Sequence, residues 1–98
     1  MSKVFVDQTS LRIILTTGVV ITDARTTEIH YRKPGGEIGQ LTAEIQDPVT
    51  GIIFHDLDSD STLLDERGAW KFWAYIVFSD GRKARGETVG VTIWSEDE

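Results

Sequence analysis

The fourteen residues 68–81, GAWKFWAYIVFSDG, decide the fold. Side chains alternate across a β-strand with period two. Trp70, Phe72, Ala74, Ile76 and Phe78 then share one face, which is uniformly apolar, and form the expected core. Ala69, Lys71, Trp73, Tyr75 and Val77 share the other face, which places an indole and a phenol on the outside. Asp80-Gly81 ends the strand with the signal of a two-residue type I′ hairpin, whose central positions both need φ > 0. The chain is expected to return through 82–94 with Val89, Val91 and Ile93 inward. Thr88, Gly90, Thr92 and Trp94 then face outward, and Gly86 marks a bulge or bend.

Shorter strands read outward from this one. Residues 3–6 (KVFV) form a first and 11–17 (LRIILTT) a second, with Leu11, Ile13 and Leu15 opposed to Arg12, Ile14 and Thr16. In 26–33 (TTEIHYRK), Ile29 and Tyr31 oppose Glu28, His30 and Arg32, and Pro-Gly-Gly at 34–36 ends the run. Residues 41–46 group Leu41, Ala43 and Ile45 on one side. A turn at 47–51 leads to a hairpin partner at 52–57, where Ile52 and Phe54 are the expected inward pair. In the irregular stretch 58–68, Leu63 and Leu64 are expected to plug the core. Seven β-rich runs separated by turn signals, with no extended helical periodicity, predict an all-β, immunoglobulin-like antiparallel sandwich. One domain spans 1–98, with 95–98 (SEDE) an acidic tail expected to fray.

The bulk chemistry narrows the function classes. The chain has 98 residues, no cysteine and a formal charge of −6. A disulfide framework and a thiolate metal site are therefore excluded. The acidic balance disfavours nucleic acid and anionic membranes. The apolar run at the N-terminus is too short for a signal peptide, so synthesis in a cytosol is expected. No serine nucleophile elbow, HExxH or Walker loop occurs, and the two histidines, His30 and His55, stand far apart in sequence; no enzyme and no cofactor are expected. Asp56, Asp58 and Asp60 have the spacing of a calcium loop. Ser61 stands where that loop needs glycine and Arg67 where it needs glutamate, so a polar turn is the better reading. Basic residues gather at Arg82, Lys83 and Arg85 and again at Arg32 and Lys33, groups expected at opposite ends of the sheet.

The outward aromatics then need a role. In an immunoglobulin-type sandwich the sixth and seventh strands are neighbours and the third lies beside the sixth. His30, Arg32, Trp73, Tyr75 and Trp94 are thereby expected to form one stripe, with a shallow dip at Gly90. Aromatics with a polar handle, together with arginine, are the residues that dominate protein interfaces. Cross-strand stabilisation of the sheet is the plainer use of the same residues. Stacking of Trp73, Tyr75 and Trp94 on sugar rings is the alternative binding mode.

The order LRIILTTGVVITDA (11–24), IHYRKPGG (29–36), GIIFHDL (51–57), LLDERGAWKFWAYIVFSDG (63–81) and GETVGVTI (86–93) resembles the immunoglobulin-like modules of tailed-phage virion proteins. The N-terminal modules of baseplate upper proteins are modules of this kind. The resemblance rests on the Thr-Gly-x-x-Ile-Thr-x-Ala turn at 17–24, Lys-Pro-Gly at 33–35, Gly-x-Trp at 68–70 and Ser-Asp-Gly at 79–81. It implies a non-enzymatic structural part that packs on other virion proteins or on copies of itself. It also implies assembly in the host cytoplasm and residence in the particle, and it brings no catalytic residues.

Overall fold

The long strand forms as β7, Gly68–Phe78, in a computed structural model that describes residues 4–5, 12–56 and 64–95. For Val4 and Phe5 the backbone alone is described. The other strands among these residues are β1 (Val4–Phe5), β2 (Arg12–Thr16), β3 (Ala24–Arg32), β4 (Ile38–Thr42), β5 (Glu44–Asp47), β6 (Ile52–Asp56), β8 (Lys83–Arg85) and β9 (Val89–Trp94). One sheet runs β1-β9-β7-β3-β4, with β8 also paired to β7, and the other runs β2-β6-β5. The second, fifth and sixth strands thus lie together opposite the third, seventh and ninth, which is the partition of an immunoglobulin-like sandwich. All pairings are antiparallel except β1 with β9. No helix occurs among the described residues, and none is long and apolar enough to cross a membrane.

β7 buries its even-numbered side chains as its alternation predicts. Trp70 and Ile76 are fully buried, and Phe72, Ala74 and Phe78 nearly so. Ile29 from β3, Ile53 from β6, Leu15 from β2 and Ile93 from β9 meet them between the sheets. Each such aliphatic or aromatic side chain removed from water contributes roughly 1.5–3 kcal/mol. The indole of Trp70 brings an N–H that must be satisfied inside. Its Nε1 donates to the Glu66 carbonyl at 2.7 Å, tying the strand to the loop that precedes it. Leu64 in that loop is buried as expected, while Leu63 lies outside the described residues. Ile21, in the connection between β2 and β3, is also sealed in the core, and its N–H donates to the Pro48 carbonyl.

Several local expectations are corrected. The run 41–46 is two strands, not one: β4 belongs to the large sheet and β5 to the small, and the chain changes sheets at Ala43. Thr27 holds that corner, its Oγ1 donating to the Ala43 carbonyl at 2.7 Å and its carbonyl accepting from the Ala43 N–H at 3.0 Å. Ala43 and Leu41 are buried, but Ile45 on the edge strand β5 is exposed. In β6 the inward residue is Ile53, not Ile52 and Phe54, because Ile53 pairs with the buried Leu15. Phe54 faces outward beneath Arg12, whose guanidinium carbon lies 4.1 Å from the ring centroid and whose Nε bonds Asp56 at 2.7 Å. His55 shares the inward parity of Ile53, and its Nδ1 donates to the Thr42 carbonyl at 2.7 Å, joining the two sheets.

The hairpin after β7 has three loop residues rather than two. Phe78 N donates to the Arg82 carbonyl, and Gly81 N donates back to the Phe78 carbonyl. Ser79, Asp80 and Gly81 therefore make the turn, with Gly81 carrying the positive φ of +90° expected at a bulge glycine. The return is also two strands. β8 pairs Arg85 with Tyr75, whereas β9 pairs Val89 with Phe72, so three residues, 86–88, oppose two on β7. Gly86 makes this bulge, as its sequence position suggested. A Cβ there would stand 2.8 Å from the Thr16 carbonyl oxygen and 3.3 Å from Ala74 Cβ. Past the bulge Ile93 is buried and Val91 packs against the core, but Val89 is exposed where an inward side chain was expected.

Candidate functional site

The outer face of the large sheet is built by the odd residues of β7 and the even residues of β3. Register places Tyr75 opposite Glu28, Trp73 opposite His30 and Lys71 opposite Arg32. β8 adds Arg85 beside Tyr75, and Lys83 lies beside Val77. β4 closes the other side with Thr42, Gln40 and Ile38 opposite Glu28, His30 and Arg32. Ile38 is 62% exposed there.

Three of the five expected stripe residues meet. The His30 ring stacks on Tyr75 at 4.6 Å between centroids and meets Trp73 edge-on at 6.0 Å. Its Nε2 lies 3.1 Å from Glu28 Oε1, which fixes the imidazole between the two aromatics. Arg32 stands one row away, beside Lys71. Trp94 does not join them. β9 runs back so that Ile93 faces Gly68, which puts Trp94 six positions from Trp73 along β7. That separation is roughly 20 Å at the rise of a strand. Gly90 lies beside Lys71, not beside the aromatic cluster.

One residue that the sequence reading placed elsewhere belongs to the cluster. Arg85 lies over Trp73, its guanidinium carbon 5.0 Å from the ring centroid. The bulge aims it: Nη2 donates to Thr88 Oγ1 at 2.8 Å and Nη1 to the Gly86 carbonyl at 3.3 Å. A cation over an indole is attractive and leaves the positive charge at the surface. Lys71 was likewise not counted among the basic groups. It lies beside Arg32, six positions along β7 from the row of Lys83, so the two expected basic groups do sit toward opposite ends of this face, with Arg85 between them.

Lys33, although next to Arg32, serves the end of the sandwich. Its Nζ donates to the Asp65 carboxylate at 2.8 and 3.1 Å, lies 3.2 Å from Glu37 Oε2, and stands 5.6 Å from the Trp70 ring centroid. The hydrogen bond to Asp65 is the main reason its ammonium is held well above the ordinary lysine range; partial burial acts against it, and Glu37 adds to the rise.

The aspartate run does not become a site in the part that can be described. Asp56 is bonded to Arg12, and Asp58 and Asp60 lie outside the described residues. Among the described residues no three histidine, aspartate or glutamate side chains converge as a metal ion would require. An apolar groove of about 160 Å³ runs between β2 and β9, lined by Ile13, Leu15, Leu64, Phe72, Val91 and Ile93 among others. Among its described lining residues only Arg12 ionises, so these side chains offer no acid–base pair.

With this geometry in hand, comparison with known families, characterised proteins and solved structures finds no match to the chain. Its function must be argued from the face itself.

Proposed function

We propose that this chain is a non-enzymatic docking module that binds another protein through the outer face of its large sheet, in the manner of structural parts of tailed-phage particles. One observation carries the reading. A flat face concentrates a tryptophan, a tyrosine, a histidine and an arginine that are already held in place by each other. Pre-ordered aromatic and arginine side chains lose little freedom on binding, which makes them effective anchors. The virion setting rests on the resemblance of the turn and core motifs, with assembly in the host cytoplasm and partners among other virion proteins. Repetition in a symmetric particle multiplies a weak single contact.

Sugar stacking is less well served by the same residues. A pyranose ring needs an open aromatic face, and here His30 lies on Tyr75 while Arg85 lies on Trp73. Trp94 stands too far along the sheet to extend a platform.

Incorporation into particles tests the proposal. Trp73→Ser is expected to fold and to be lost from assembled particles, while Trp94→Ser is expected to be retained in them. Full incorporation of folded Trp73→Ser removes the docking role of this face. A saturable fluorescence change with cell-wall glycans transfers the face to carbohydrate.

A further inference from the structure

We infer that the partner of this face is an acidic protein surface; the inference rests on the docking reading and concerns its chemistry. β3, β4, β7, β8 and β9 together carry Arg25, Arg32, Lys71, Lys83 and Arg85 against a single carboxylate, Glu28. That carboxylate is engaged by His30. The small sheet has the opposite balance, with Arg12 against Glu44, Asp47 and Asp56. In a chain of formal charge −6, the large sheet is thus a positive island.

Its cations are not neutralised at home. Among the described residues, Arg32, Lys71 and Lys83 make no ion pair, and the Arg85 guanidinium bonds only a hydroxyl and a carbonyl. Arg12 on the other sheet, by contrast, is closed by Asp56. Long-range steering and register at an interface both come from such unmatched charge meeting its opposite. The apolar and aromatic centre, Trp73, Tyr75 and the exposed Ile38, supplies the desolvated part of the contact.

Area and sign select the occupant. Strands of two to eleven residues, with a rise of about 3.3 Å and a spacing of about 4.8 Å, give a face of roughly 570 Å², below the roughly 800 Å² of one side of a standard protein interface but more than twice the other sheet. A second copy cannot match it well. Two-fold pairing of the face with itself brings Arg32, Lys71, Lys83 and Arg85 against the same four cations. The three-stranded sheet of another copy is too small, at roughly 250 Å². Nucleic acid is disfavoured because base stacking needs the ring faces that His30 and Arg85 occupy.

The test uses a polyglutamate peptide of about twenty residues as a carboxylate probe, a length that spans the face when extended. Its binding is followed by tryptophan fluorescence of the whole chain. Saturable binding is expected, weakening at least tenfold between about 50 and 300 mM salt. It is expected to weaken at least tenfold in Arg32→Glu/Lys71→Glu and to be unchanged in Arg12→Gln. All these side chains are exposed, and near-ultraviolet circular dichroism checks that each variant is folded. Absence of binding, or equal binding by the double reversal, overturns the inference. Tighter binding of a twenty-base oligothymidylate at the same salt overturns it in favour of nucleic acid. Self-association of the wild type that the double reversal abolishes overturns it in favour of a second copy. Particle incorporation separates this inference from the docking reading: if Trp73→Ser is excluded while Arg32→Glu/Lys71→Glu is incorporated normally, the docking face stands and its acidic partner does not.

Discussion

Trp70 and Trp73 sit on one strand, three residues apart, and have opposite surroundings. Trp70 is sealed against Tyr31 and Phe72, and its one polar atom is answered by the Glu66 carbonyl of its own loop. Trp73 is half covered, by an imidazole edge and a guanidinium that both remain at the surface. The difference shows how one strand supplies two unlike products. The inner indole is finished within the domain. The outer one is held in position but keeps charge and ring available to something else.

The contrast can be broken hardest from the inside. Trp70→Ala removes the largest fully buried side chain and leaves a cavity, with an expected loss of about 3–5 kcal/mol in chemical denaturation. Gly86→Val attacks the link between the two sides. Its side chain would press on the Thr16 carbonyl and Ala74, costing about 1–3 kcal/mol. It would also shift Arg85 off Trp73, read as a change in tryptophan emission that the same substitution in a Trp73→Phe background does not give. Trp73→Ser, on the outer side, is expected to cost under about 1 kcal/mol. A loss from Trp73→Ser as large as that from Trp70→Ala would erase the distinction between the faces.

The smallest effects are those of pH. Asp80 is held below the usual carboxylate range, chiefly by the Arg82 backbone N–H, and Asp47 chiefly by the Thr50 N–H. A lowered folded value means stability present above the unfolded value of about 3.9 and lost as pH falls through the folded one. The melting temperature of Asp47→Ala/Asp80→Ala is therefore expected below wild type at pH 7 and to converge with it as pH falls through the folded values. Lys33 acts in the opposite direction. Its raised value gives stability that is complete below about 10.4 and lost as pH rises through the folded value. The deficit of Lys33→Met at neutral pH should therefore shrink only in strong alkali.

Much of this architecture was legible in the sequence, and the misreadings have physical causes. β7 was legible because five apolar residues alternate without exception and only one parity can face a core. β6 was not, because Ile52, Ile53 and Phe54 are consecutive and apolar on both parities; pairing with Leu15 settles it, and pairing is a long-range fact. In 41–46 the parity of Leu41 and Ala43 was right, but parity is silent about a backbone that leaves one sheet for another. His30, Trp73 and Tyr75 came together because adjacent strands and a shared face suffice to specify them. Trp94 was misplaced through neglect of register. Counting back from the 79–81 turn puts it opposite residue 66, and the bulge at 86–88 moves it to 67; either count sets it well away from Trp73, a signal that was present. Arg85 had no such signal, since its aim depends on a bulge that its sequence only hints at.

The parallel contact of β1 with β9 bears on how such a module carries load. Val4 pairs with Ile93 and Phe5 with Trp94, so the two strands run side by side in the same direction. Tension applied through the backbone before Val4 and after Trp94 slides these strands past each other. Their bridging hydrogen bonds are then strained together rather than peeled off one at a time. A tether attached through those two points would meet a shear clamp, whereas one attached through the hairpin after β7 would open it like a zip.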